Sequence, residues 1–271
     1  MSVSSEQRPT GLPATLRAEI LGDVGVLTLA RPEKRNALSD ETVLGIERFL
    51  LDLDPAVRAL VIDADGDHFC AGLDLSEMAE RDTMAGIAHS RMWHRVFDTL
   101  ENGTVPVVAV LKGAVIGGGL ELASAVHVRV AEESTFYAFP EGQHGLFVGG
   151  GGSVRVPRLI GTARMVDMML TGRRYDAAEG QAIGLSQYVV ANGTGRDRAI
   201  ELARRIAGNA SQTNFAVLQA LPRIAEANPR EGFLMESLMA AIAQGTDDAK
   251  GRMRGFLEGR SRGGGANGTG R

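Results

Sequence analysis

A continuous apolar run, Val105-Pro106-Val107-Val108-Ala109-Val110-Leu111, ends in Lys112-Gly113 and soon gives way to Gly117-Gly118-Gly119-Leu120-Glu121. An uninterrupted apolar strand has to be covered on both faces, which is how parallel strands sit in α/β proteins. Leu120 to Ser124 suit a helix, so the three glycines occupy the turn where a buried strand hands over to a helix. Open α/β sheets bind their ligands at such turns.

The same alternation recurs over residues 20 to 190. Val24 to Leu29 reads as a strand, and a loop follows from Arg31 to Ala37. Ser39 and Asp40 offer an N-cap, with Glu41 in the first helical turn, and Val43, Ile46, Leu50 and Leu53 follow at helical spacing. Ala59 to Ile62 reads as a buried strand, and a loop from Asp65 to Gly72 leads to Leu73-Asp74-Leu75, where a short helix is expected. Arg91 to Leu100 is predicted helical and Val126 to Val130 a strand. This order predicts a mixed α/β fold with parallel pairing. Beyond residue 197 the segments 197–208, 213–227 and 231–258 carry helical periodicity, predicting a helical appendage. Polar residues 1–14 and the glycine-rich end 259–271 are expected to be disordered.

A net charge of -4 offers no basic field for nucleic acid or an anionic membrane. A single cysteine, Cys70, allows no intrachain disulfide, and no stretch approaches the ~18 apolar residues of a membrane span. The N-terminal residues lack the apolar core of a signal peptide, so a cytoplasmic protein is expected. The 35 glycines are about twice the usual share of roughly 7%. They cluster, which places them in loops with work to do.

Three glycine-flanked segments could carry chemistry. In Gly117 to Glu121 the free N–H groups of a helix start lie unshielded beside a first-turn carboxylate. In Phe69-Cys70-Ala71-Gly72-Leu73-Asp74-Leu75 the small residues again allow close approach to backbone amides. Two amides aimed at one oxygen make an oxyanion hole. In Pro140-Glu141, followed by Gly145 and Gly149 to Gly152, a second carboxylate precedes a four-glycine loop set among Phe147, Val148 and Val154. Taken singly, each segment also suits a tight turn, a cap or a surface loop.

Other candidates are weaker. His89 and His94 lack the i, i+4 spacing of a helical metal pair, so no metal site is expected. His127 reads as a satisfied sheet residue, whereas His68 and His144 could line a pocket. Cys70 reads as inert packing. Lys34-Arg35 suits either a phosphate or a solvated loop.

Together the segments resemble the crotonase (enoyl-CoA hydratase/isomerase) superfamily over roughly residues 20 to 260. Arg31-Pro32-Glu33-Lys34-Arg35-Asn36-Ala37-Leu38 is similar to its early loop. Phe69 to Leu75 and Gly113 to Ala123 are similar to its two oxyanion segments, and Pro140-Glu141 through Gly152, Pro157 to Gly161 and Leu170 to Arg173 continue the match. The resemblance implies a spiral of ββα units over residues 15–197 and a helical trimerisation region over 198–258, in a homotrimer or dimer of trimers.

It further implies an acyl-CoA substrate, with CoA part of the substrate and no separate cofactor. The thioester oxygen would be held by the N–H groups of Ala71 and Gly118, and Glu121 and Glu141 would move the protons of a hydration. Lys34, Arg35, Ala37, Cys70, Gly72, Leu73, Asp74, Leu75, Gly117, Phe139, Pro140 and Gly149 would line the substrate and CoA site. Phe256 would reach a neighbouring subunit's CoA. Phe139 and Val148 depart from the residues frequent in hydratases, which bears on the acyl group. Family alternatives are an enoyl-CoA isomerase, a hydratase that also hydrolyses the thioester (methylthioacryloyl type), and a hydratase of cinnamoyl-type thioesters. A non-catalytic crotonase-like binding protein is the alternative of another class.

Overall fold

The computed structural model describes residues 11–74, 76 and 82–257, in two compact units that divide between Gly208 and Asn209. The expected terminal disorder falls largely outside the described residues. In the first unit, β1 (Leu16–Leu21) and β2 (Val24–Leu29) form an antiparallel hairpin that turns at Gly22, φ 73°. The sequence reading missed β1. Its alternating Arg17 and Glu19 sit on an edge strand, which needs little apolar signal.

Helix α1 (Asp40–Leu51) is capped by Ser39, whose hydroxyl accepts the Thr42 N–H. After β3 (Ala59–Ala64), helix α2 (Thr83–Glu101) starts eight residues before the expected Arg91, because the Asp82 carboxylate accepts the Ala85 N–H and caps it there. Then come β4 (Val107–Leu111), β5 (Ala114–Ile116), α3 (Gly118–Ser124), β6 (Val128–Glu132) and β7 (Phe136–Ala138). The unit closes with α4 (Gly152–Ile160), α5 (Thr162–Thr171), β8 (Tyr175–Asp176), α6 (Ala177–Ile183), β9 (Tyr188–Val190) and α7 (Gly195–Ala207).

A six-stranded sheet runs β1-β2-β3-β4-β6-β9, parallel apart from the first hairpin. Its strands are buried on both sides, as the apolar runs require. Leu27, Leu29, Leu60, Ile62, Ala109 and Leu111 face the core that also holds Ile46, Trp93 and Phe97, while Val26, Val61, Val108 and Val110 face Ala199 and Ala203 of α7. A small second sheet, β5-β7-β8, is extended by single bridges from Cys70 to Val115 and from Leu38 to Leu73. Each turn of chain thus passes from the large sheet to the small one: β3 to Cys70, β4 to β5, β6 to β7. This is the ββα spiral, and it stacks the functional loops beside one another.

The second unit consists of α8 (Ser211–Phe215), a π-helical turn (Ala216–Ala220), α9 (Leu221–Glu226), α10 (Pro229–Gly245) and α11 (Asp247–Leu257). The expected boundary at 197/198 falls inside α7. That helix packs on β2, β3, β4 and β6 and therefore belongs to the first unit, so the separate helical part begins at Asn209.

Candidate active site

Strand β5 delivers the chain to Gly117, whose N–H donates to the Ala138 carbonyl at 3.0 Å and whose φ is 52°. A Cβ there would stand 2.6 Å from Glu141 Oε1, so only glycine fits. One turn into α3, Glu121 is buried, and its Oε1 accepts the N–H groups of Gly150 and Gly152, each at 2.8 Å. The four-glycine run is explained by this wrap. A Cβ on Gly150 or Gly152 would come within 2.9 Å of the Glu121 side chain, and Gly151 holds φ at 101°.

Glu141 opens a 3-10 helical turn, Glu141–His144, behind Pro140. Its Oε2 is buried and has no hydrogen-bond partner among the described residues. Burial pushes its pKa up to about 7, and the nearby charge of Glu121 adds to the rise. Burial also holds Glu121 above the ordinary carboxylate range, against the N–H groups of Gly152 and Gly150 and the positive charge of Arg155.

Both carboxylates line a cavity of about 1000 Å³, with Gly72, Leu73, Gly117 and Gly118 on one wall and Leu146, Phe147 and Gly149 on another. Helix α2 adds Ile87, His89, Ser90, Trp93 and His94. The expected amide pair needs one correction. Ala71 lines the cavity, but its N–H donates to the Arg35 carbonyl at 3.0 Å and is not available to a substrate oxygen. The next inward-facing amide is that of Leu73. Leu38 bridges Gly72 O and Asp74 N–H, at 2.7 and 2.9 Å, so the intervening Leu73 N–H points to the opposite edge. There it meets Gly118: a Cβ on Gly118 would lie 3.4 Å from Leu73 N, and one on Gly72 would lie 3.3 Å from Gly118 N. Leu73 and Gly118 are therefore the facing amides.

Gly72, Leu73, Gly117, Pro140 and Gly149 lie on the cavity. Three other expected residues are buried in structural roles. Phe139 is fully buried in the core beneath Gly152. The Cys70 thiol is buried and pushed up to about 12, which leaves it unreactive. Asp74 is a buried clasp: it accepts from Arg31 Nη1 at 2.6 Å and from the Ser76 hydroxyl and N–H at 2.7 and 3.0 Å, and the Ser76 bonds lead in holding its pKa near 2. Arg35 presents its carbonyl to Ala71 while its side chain is exposed, as is that of Lys34. Ala37 is half-buried beside the loop and does not line the cavity. Leu75, the helix expected to start beside it, and the Phe256 side chain lie outside the described residues.

Asn36 went unread in the sequence, yet it pins the loop. At φ 55° its amide donates to Asp65 O and His68 O and its Oδ1 accepts the Arg31 N–H. An asparagine inside a loop tolerates the left-handed region, which was the available signal. Of the histidines, His144 lines the cavity, His68 Nδ1 accepts the Ala114 N–H, and His127 is satisfied between Val107 N–H and Glu101 O. Among the described residues no three His, Cys, Asp or Glu side chains are grouped to hold a metal ion, and no helix is long and apolar enough to cross a membrane.

The profile of the enoyl-CoA hydratase/isomerase family matches residues 19–263. An enoyl-CoA hydratase of Mycobacterium tuberculosis is 32% identical over 246 residues, covering 89% of this chain and 92% of the relative. A short-chain-enoyl-CoA hydratase of Clostridium acetobutylicum is 31% identical, with 88% and 92% covered. A crystal structure from Rhodopseudomonas palustris CGA009, itself provisionally assigned as an enoyl-CoA hydratase, superposes with a TM-score of 0.90 at 58% identity, covering 93% of this chain and 98% of that one. Glycine-wrapped carboxylates, facing amides and these likenesses converge on one conclusion: the chain belongs to the enoyl-CoA hydratase/isomerase family.

Proposed function

We propose that this cavity hydrates the double bond of a 2-enoyl-CoA thioester to give a 3-hydroxyacyl-CoA. The observation that carries the reading is two carboxylates with different restraint opening on one cavity beside two facing amides. Glu121 is fixed through Oε1 by two N–H donors, which leaves Oε2 to accept a proton from water. Glu141 has an unpartnered buried oxygen and a pKa of about 7, so it supplies a proton near neutrality.

In this reading a water held between the carboxylates adds its oxygen to the β-carbon while Glu121 takes its proton. The electron pair of the double bond moves onto the thioester carbonyl, whose oxygen becomes enolate-like and is met by the Leu73 and Gly118 N–H groups. Glu141 then protonates the α-carbon. A proton passes from Glu121 back to Glu141, through water or product, and resets the pair. Addition from one side by adjacent carboxylates corresponds to syn hydration. The two carboxylates titrate as a coupled pair.

The CoA moiety is supplied by the substrate, its phosphates near Lys34 and Arg35, with no separate cofactor. Assembly into a trimer or dimer of trimers belongs to the same reading. Residues Phe233, Leu234, Leu238 and Ile242 of α10 are exposed and apolar, as a subunit contact requires. Product analysis on crotonyl-CoA and on long, branched and aromatic enoyl-CoAs tests the reaction. A 3-hydroxyacyl-CoA is expected. A shifted double bond would make the protein an isomerase, free CoA a hydrolase, and tight binding without turnover of any thioester a binding protein.

A further inference from the structure

We propose that Ser90, on the cavity face of α2, is a positioning residue for Glu121 and acts through the peptide plane between Gly149 and Gly150. The proposal rests on the reading above that Glu121 is the base. Ser90 Oγ donates to the Gly149 carbonyl at 2.6 Å, and the Gly150 N–H donates to Glu121 Oε1 at 2.8 Å. In a trans peptide the C=O and the following N–H point in opposite directions, so pulling the Gly149 oxygen toward α2 aims the Gly150 N–H at the carboxylate. Hydroxyl and carboxylate are thus linked through one peptide plane.

Such a grip is needed because the loop is all glycine. Without Cβ atoms, little in Gly149 to Gly152 resists a peptide flip, and a flipped plane would present a carbonyl oxygen to the Glu121 carboxylate. The neighbouring plane is held in the same manner: Arg155 Nη1 donates to Gly150 O at 3.2 Å, while its Nε donates to Glu101 Oε2 at 2.6 Å. The Gly149 and Gly150 carbonyls are thus held from α2 and α4, and the Gly150 and Gly152 N–H groups are left for Glu121. Charged or titratable groups near Glu121 are Glu141 from the 3-10 turn and Arg155 from α4, while His94 of α2 lies 3.4 Å from the Ser90 hydroxyl and also bonds the Gly149 backbone. Strand β5 brings none.

The N–H donors favour the ionised form of Glu121, so a loosened Gly150 N–H makes the base protonate at higher pH. Steady-state kinetics of the full-length enzyme on crotonyl-CoA, as a function of pH, test this. For Ser90→Ala the acid limb of the kcat profile is expected to move up by about one pH unit, with kcat on that limb down about tenfold and KM unchanged. Ser90→Thr keeps the hydroxyl and is expected to restore the wild-type limb. An unmoved limb in Ser90→Ala, or an equal shift in Ser90→Thr, overturns the proposal while leaving the role of Glu121 to its own test. Should Ser90→Ala fail to fold, Ser90→Thr and Ser90→Val carry the same decision, being matched in bulk and different in hydroxyl. Glu121→Gln, measured alongside, separates the two ideas: its inactivity keeps the base assignment even where Ser90 proves inert.

Discussion

The N–H of Ala71 is spent on the Arg35 carbonyl at 3.0 Å, so the amide that meets Gly118 is that of Leu73, two residues along the chain. The early loop and the first glycine segment are therefore one structural unit. Asn36 and the bridge at Leu38 fix the loop, and the loop in turn decides which amides face the cavity.

Replacing a single amide by an ester tests this assignment, because it removes one N–H and leaves the side chain alone. At Leu73 the substitution is expected to lower kcat on crotonyl-CoA by about 10²–10³-fold with little loss of stability. At Ala71 it is expected to lower stability by about 1 kcal/mol with kcat nearly kept. The reverse pattern would restore Ala71 to the oxyanion hole.

Glu141 makes stability pH-dependent in a definite direction. Its folded pKa, about 7, lies above the ordinary value of about 4.3, so the fold holds its proton between those values and loses stability as pH rises through that window. Glu141→Gln is expected to melt higher than wild type near pH 8 and to approach it near pH 4. Thermal melts at the two pH values check this, and equal melting at both would contradict a carboxyl group whose buried Oε2 has no hydrogen-bond partner among the described residues.

Asp74 has the opposite character, ionised and clasped. Arg31→Ala would leave its buried carboxylate short of the 2.6 Å guanidinium bond. A loss of about 2 kcal/mol in denaturant unfolding is expected. Asp74→Ala alone is expected to cost a similar amount, and the double variant should cost clearly less than the sum of the two. Additive losses would mean that the pair is not coupled.

The buried Cys70 thiol, pushed up to about 12, is expected to resist alkylation by iodoacetamide in the native enzyme at neutral pH and to react after unfolding. Mass spectrometry of the intact protein reads the outcome. Rapid modification in the folded state would place the thiol at the surface.

Much of the site was legible because its signals are chemical and local. Glu121 and Glu141 stand out through the glycines their close packing requires, and the buried strands through unbroken apolar runs such as Val107–Leu111. The choice between Ala71 and Leu73 was not legible, because it depends on which edge of a one-residue bridge each N–H faces. That register is set by Leu38, more than thirty residues away. The first half of α2 escaped notice for another reason. Thr83 to Ser90 has only Met84 and Ile87 as large apolar residues beside Gly86, His89 and Ser90, and its inner face lines a cavity instead of filling a core. Phe139 and Asp74 were assigned to the ligand because they neighbour site residues in sequence, whereas burial gives them to the core and to the loop clasp.

The central claim is that Glu121 and Glu141 divide the proton transfers of one hydration. The most direct measurement is turnover of crotonyl-CoA by Glu121→Gln and Glu141→Gln, each verified as folded by its far-ultraviolet circular dichroism and melting curve. Each variant is expected to lose about 10²–10⁴-fold in kcat with the cavity still binding thioester. Near-wild-type turnover in both folded variants would contradict the account.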